Sequence, residues 1–209
     1  MNNGACDPGD SEIIRQVVAG NVNAFEHLLN KYQNYVLQIV KKHIPYDQVK
    51  DTTQEVFIRT YQSLKAFKGD SSFERWLSTI AVRTCYDFLR KRYKSRELLT
   101  SSLSERQESW LEEAMSDRAI QSFDEKGLQK EAREILDWAL ERLSAEDRMV
   151  LELVYLEGHS VKEAAALLGW SAANVKVRSF RSRKKLQKLL GKRGEYGRSG
   201  TCARQKMKD

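Results

Sequence analysis

Proline is nearly absent from this 209-residue chain, with Pro8 and Pro45 its only two. Helix interiors elsewhere are free of the residue that removes an amide donor and breaks them. Cysteine is almost as scarce. Cys6, Cys85 and Cys202 are isolated, with no CxxC and no paired framework, which excludes a disulfide scaffold and fits a reducing cytosol. Cys85 falls on an apolar helix face and reads as structural. No hydrophobic run approaches the roughly 20 residues of a membrane span, and the N-terminus lacks a basic–apolar leader pattern. A soluble cytoplasmic protein without membrane insertion is therefore expected. Runs of β-branched residues are few and 31% of residues are charged, which favours an all-α fold. Chemistry lacks carriers too. His27, His43 and His159 lie on unrelated segments, no carboxylate cluster has metal-ligand spacing, and no P-loop or nucleophile context is visible. No catalytic residue, metal site or cofactor is expected.

What the chain does have is concentrated in Ser160 to Leu186, SVKEAAALLGWSAANVKVRSFRSRKKL. Ser160 with Glu163 forms a capping box that starts a helix. Val161, Ala164, Ala165 and Leu168 give it an apolar face, and Gly169 ends it. Ser171 caps a second helix, expected to reach about Leu190, which carries Lys176, Arg178, Arg181, Arg183, Lys184, Lys185 and Lys188. Two short helices joined by a glycine turn, the second cationic, suit a DNA major groove. A cationic helical hairpin also occurs as plain solvated surface, but the charge distribution favours DNA. From Ser160 to Asp209 there are 14 lysines and arginines against three acidic residues, an excess larger than the formal +7 of the whole chain. A polyanionic partner explains such asymmetry.

The pattern predicts two small helical domains joined by a flexible acidic linker. In the first, spanning 11–93, a short helix is capped at Asp10 or Ser11 and closed by Gly20. A longer helix from Phe25 to Val40 ends before Pro45. A third runs from about Asp47 to Phe67, and a fourth from Ser72 to about Tyr93. Residues 94–127 lose periodicity and read as a tether, with at most a short helix near Trp110 to Ala119. The second domain, 128–190, holds a helix from Leu128 to Leu143, one from Ser144 to Glu157 capped by Ser144 with Asp147, and the helix-turn-helix. The first nine residues and the basic tail 191–209 read as disordered.

Two features of the first domain exceed packing needs. Asp51, Gln54 and Glu55 share a polar helix surface, with Phe57 beside it. An acidic face with an adjacent aromatic suits docking to a basic partner, although most acidic faces are only solvated. The loop Lys68-Gly69-Asp70-Ser71-Ser72 precedes a helix with Arg75, Trp76, Arg83, Arg90, Lys91 and Arg92. Cations interleaved with rings suit single-stranded nucleic acid, but Phe73 and Trp76 also fit a core.

The run Gln54-Glu-Val-Phe57, then Phe67-Lys-Gly-Asp-Ser-Ser-Phe-Glu-Arg-Trp-Leu77 with Ile80-Ala81, followed by a polar tether and the helix-turn-helix, resembles the extracytoplasmic-function (ECF) class of bacterial sigma factors. The ordered combination covers about residues 11 to 190. The resemblance implies an alternative sigma factor that binds core RNA polymerase and recognises promoter DNA without catalysing anything itself. It implies that Asp51, Gln54, Glu55 and Phe57 dock on polymerase. It also implies that Lys68, Gly69, Asp70, Ser71, Ser72, Thr79 and Arg83 act at the minus-ten element. At the minus-thirty-five element the matching positions are Ser171, Ala173, Asn174, Lys176, Val177, Arg178, Phe180, Arg181, Arg183 and Lys184, with Arg178, Arg183 and Lys184 on phosphates. An anti-sigma factor is an implied partner. The chain departs from the pattern at Thr79 and Arg83, where the family often has Arg and Asn, and at Val177 and Ser179. Arg83 cannot accept a hydrogen bond as an amide can, which implies a different minus-ten preference. A conventional helix-turn-helix regulator with a sensing or dimerising first domain, and an enzyme such as a recombinase or nuclease, are the competing readings.

Overall fold

The computed structural model describes the backbone of residues 8–100 and 125–202 and the side chains of residues 9–95 and 132–191. The predicted helix near Trp110 to Ala119 lies outside the described residues. The described residues are helical, with no strand. Among the described residues eight α-helices follow one another: α1 (Pro8–Val18), α2 (Phe25–His43), α3 (Val49–Ser63), α4 (Phe73–Thr100), α5 (Glu125–Glu141), α6 (Ala145–Leu151), α7 (Val161–Leu168) and α8 (Ala172–Cys202).

The chain forms two compact units. The first joins the residues up to Leu89 with His159–Asn174, and the second joins Arg90–Gly158 with the residues from Val175 on. In the first, α1 begins at Pro8, inside the segment expected to lack structure, because a first-turn proline lacks only an amide that would be unbonded anyway. Helix α2 stops where Ile44 turns extended ahead of Pro45. The predicted third helix is split. A 3-10 turn precedes α3 and another, Leu64–Ala66, follows it, so the α-helical part is shorter than the apolar periodicity suggests. Leu28, Val36, Val40, Val56, Leu64, Phe73, Leu77 and Cys85 form the buried interior. Asp10 is buried too, and accepts hydrogen bonds from Tyr32 (2.5 Å) and Lys31 (2.7 Å), tying α1 to α2. Helix α4 continues past Tyr93 to Thr100.

In the second unit Leu140, Leu143 and Leu151 make a core with Leu136, Leu186 and Leu189 packed on it. Ser144 caps α6 and accepts from the Asp147 amide, as its sequence predicts. A π-helical turn, Glu152–Leu156, extends α6. The Tyr93 hydroxyl donates to the carbonyls of Leu140 (3.2 Å) and Glu141 (2.5 Å) at the end of α5, the first of which also accepts from the Leu143 amide. The tail from Gly191, expected to be disordered, is helical as far as Cys202.

Candidate nucleic-acid interface

The turn between α7 and α8 follows its local chemistry. Ser160 Oγ accepts from the Glu163 amide at 3.2 Å, and Glu163 Oε2 accepts from the Ser160 amide at 2.8 Å, completing the capping box. Those hydrogen bonds hold the Glu163 carboxyl below the usual carboxylate range. Gly169 takes the left-handed conformation at φ 71°, and Ser171 Oγ accepts from the Asn174 amide at 3.2 Å. Helix α8 then exposes Ser171, Ala173, Asn174, Lys176, Val177, Phe180, Arg181, Arg183 and Lys184. Two of these are large and apolar, Val177 at 49% and Phe180 at 61% exposure, in a row of cations. Lys184 Nζ lies 4.6 Å from the centre of the Phe180 ring, and Arg183 stands over Tyr155. Arg178 differs from its neighbours. It is half-buried and donates to Asp147 at 3.1 Å, so its guanidinium is turned inward rather than held out for phosphate.

On the first unit, Lys68, Gly69 and Asp70 are exposed and Ser71 and Ser72 half-buried, with Gly69 at φ 79°. Ser72 Oγ accepts from the Arg75 amide at 3.3 Å and starts α4. Behind the loop, Phe67, Phe73 and Trp76 pack ring to ring at 5.1–5.7 Å. Phe73 is core, while Phe67 and Trp76 are half-buried. Thr79 spends its hydroxyl on the Arg75 carbonyl at 3.1 Å. Arg83 is exposed, yet it donates to the carbonyls of Leu167 (3.1 Å) and Ala166 (3.5 Å) at the end of α7, and Tyr86 meets Trp170 edge-on.

The acidic surface of α3 is rearranged relative to expectation. Asp51 and Gln54 are exposed and Glu55 half-buried, but Phe57 points into the core with only 7% exposure. Helical geometry puts position i+7 from Asp51, not i+6, on the same stripe. The apolar residue there is Ile58, 51% exposed, with Tyr61 a turn further on at 40%. That periodicity was available in the sequence and points to Ile58. Glu55 accepts from Arg59 at 2.7 Å, and Arg59 also reaches Asp87 at 2.7 Å; these bonds push the Arg59 guanidinium pKa up. Among the described residues no cluster of His, Cys, Asp and Glu could hold a metal, and no helix is long and apolar enough to cross a membrane.

Residues 28–95 match Sigma-70 region 2 and residues 133–186 match Sigma-70, region 4. The two matches define a sigma-type transcription initiation factor. The chain is 31% identical over 185 residues to the ECF RNA polymerase sigma-E factor of Escherichia coli K12, covering 87% of this chain and 96% of that protein. Its counterpart in Haemophilus influenzae is 27% identical over 181 residues, covering 87% and 95%. Among solved structures, CnrH in complex with the cytosolic domain of CnrY has a TM-score of 0.50 at 26% identity, covering 88% of this chain and 97% of that one. The sigma factor RpoE in complex with the anti-sigma factor NepR from Bartonella quintana shares the fold, with a TM-score of 0.50 at 24% identity, covering 80% and 96%. The chain belongs to the ECF family of RNA polymerase sigma factors. It is an alternative sigma factor directing promoter-specific transcription.

Proposed function

We infer that this chain acts in the cytoplasm as a non-enzymatic specificity subunit of core RNA polymerase, with separate surfaces for polymerase and for each promoter element. The observation that carries the reading is the exposed row on α8. Val177 and Phe180 gain nothing from water, and a purely solvated cationic face has no use for them. Thymine methyl groups in a major groove do have a use for them, while Lys176 and Arg181 donate to guanine edges and Arg183 and Lys184 to phosphates. Ser171, Ala173 and Asn174 lie at the helix start, where a recognition helix meets base edges.

The loop Lys68 to Ser72 with Thr79 and Arg83 is assigned to the minus-ten element, where half-buried Phe67 and Trp76 offer ring surface to an unstacked base. The α3 stripe of Asp51, Gln54, Glu55 and Ile58 is assigned to polymerase docking. Phe57 supports that stripe from inside rather than touching the partner. An anti-sigma factor is the further partner. CnrH and RpoE are each described in complex with another protein, in the second case an anti-sigma factor. In this chain an apolar groove on the second unit, walled by Leu136, Leu151, Tyr155, Leu156, Leu186 and Leu190, offers a seat for apolar side chains of such a protein.

Co-elution of the full chain with bacterial core RNA polymerase, followed by run-off transcription on a genomic promoter pool, tests the reading. Capture with new promoter-specific transcripts is the expected result. Absence of capture, with tight binding of the chain alone to duplex DNA, would instead indicate a conventional regulator.

A further inference from the structure

The use of α8 just proposed leaves one buried group without a role. Asp147 lies in the first turn of α6 and is 2% exposed. A carboxylate at that depth is costly unless donors surround it. Three do. Arg178 Nη1 at 3.1 Å and Ser182 Oγ at 2.8 Å donate to Oδ1, and Lys185 Nζ at 2.5 Å donates to Oδ2. Positions 178, 182 and 185 are spaced i, i+4, i+7, so one carboxylate grips a single stripe of α8 across two turns.

Each anchor is a chain neighbour of an outward residue. Val177 precedes Arg178, and Arg181 precedes Ser182. With 3.6 residues per turn, adjacent side chains are separated by a fixed rotation about the helix axis. A grip on the inner stripe therefore sets where the outer stripe points. Productive contacts tolerate displacements of only about 0.5 Å, so the grip has a functional consequence beyond stability.

We propose that Asp147 is a positioning residue that fixes the rotation and axial register of α8 for reading the upstream promoter element, with Arg178 and Lys185 as its anchors rather than as DNA contacts. The proposal rests on the sigma-type use of α8. Removing the carboxylate does two things at once. It loosens the helix, and it releases the Lys185 ammonium beside the DNA-facing row. Base contacts govern discrimination, whereas freed cations add sequence-independent, salt-sensitive affinity. Specific and non-specific binding should thus move in opposite directions, which simple unfolding cannot produce.

The test uses the full chain with core polymerase. The probes are a promoter selected by the wild-type holoenzyme from a random-sequence library and the same promoter with its upstream element scrambled. Asp147→Asn is expected to lower the intact-to-scrambled transcription ratio about tenfold, the scale of one charge-assisted hydrogen bond. Binding of the free chain to the scrambled duplex should rise at low salt, with a salt slope steeper by about one. Ser182→Ala, which frees no cation, should lower the ratio by less and leave the salt slope alone. A folded Asp147→Asn chain that keeps the wild-type ratio overturns the proposal. If that variant does not fold, a wild-type ratio in Ser182→Ala overturns it equally. A wild-type chain that itself ignores the upstream element overturns the sigma-type use of α8 and this proposal together, an outcome distinct from variants that merely match a discriminating wild type.

Discussion

Each unit buries one aspartate to 2% exposure, and each aspartate ties two helices together. Asp10 in the first unit holds Tyr32 and Lys31, one neutral hydroxyl and one ammonium that is itself 44% exposed. Asp147 in the second holds a guanidinium, an ammonium and a hydroxyl, all on one stripe of a helix crowded with like charge. Two equally buried carboxylates therefore have different work. The first ties α1 to α2 through one hydroxyl and one ammonium. The second supplies the counter-charge for a helix whose cations repel one another. Depth alone does not distinguish them; the partners do.

The largest expected effect follows from that difference. Asp147→Ala removes the acceptor shared by the fully buried Ser182 hydroxyl and the outer Arg178 and Lys185, and should remove about 2–4 kcal/mol from the second unit. Asp10→Ala should remove only about 1–3 kcal/mol from the first, because Asp10 has two donors rather than three and neither lies as deep as Ser182. Hydrogen exchange resolved by unit during urea titration measures both, and equal losses would erase the distinction. Next come the outward cations. Lys176→Ala and Arg181→Ala should each weaken use of the upstream promoter element by about 1–3 kcal/mol while leaving the unfolding midpoint of either unit unchanged. A shifted midpoint would mean that these side chains belong to the anchor rather than to the DNA-facing row. Tyr32→Phe is smaller still, about 1 kcal/mol in the first unit, read by the same exchange experiment.

The smallest effects are those of pH, and the two anchors should fail at opposite ends of the scale. Burial pushes the Asp147 carboxyl up, but hydrogen bonds from Lys185 and Ser182 and the charges of Lys185 and Arg178 outweigh it, so the group titrates below its ordinary 3.8. Its stabilisation is present above 3.8 and is lost as pH falls through the lower folded value. The Tyr32 hydroxyl is pushed up, first by burial and then by Asp10, so its stabilisation is present below 10.0 and is lost as pH rises through the higher folded value. Acid should therefore weaken the second unit and strong alkali the first. Loss of the first unit ahead of the second in acid would contradict this assignment of anchors.

Features set by neighbours along the chain were legible in the sequence. The capping box of Ser160 and Glu163, the left-handed Gly169 and the caps at Ser144 and Ser171 occur where spacing predicts them. The family and the all-helical class were legible for the same reason, since their motifs are local and ordered. What depends on distant partners was not. Nothing near Arg178 announces that its guanidinium faces Asp147, 31 residues earlier in the chain. Phe57 looked like part of the acidic surface because it is near Glu55 in sequence, yet a helix turns it inward and brings Ile58 out. The shortening of α3 by 3-10 turns and the π-helical turn after α6 are backbone adjustments that leave apolar periodicity almost unchanged.

The turn glycine constrains the chain's descendants in a way that neither of its neighbours reveals alone. A Cβ at Gly169 would lie 2.7 Å from Arg83 Nη2, and the backbone there already sits at φ 71°. Position 169 is thus closed by its own backbone, whereas the crowding comes from the mobile end of an exposed side chain, 86 positions earlier in the numbering, that can swing aside. Asparagine, which tolerates the left-handed conformation, is the admissible replacement at the turn, with the Arg83 guanidinium moving aside. Lineages should therefore hold glycine, or at most asparagine, at 169 whatever residue stands at 83. The turn therefore admits replacements by the conformation of its backbone first and by the room around it second.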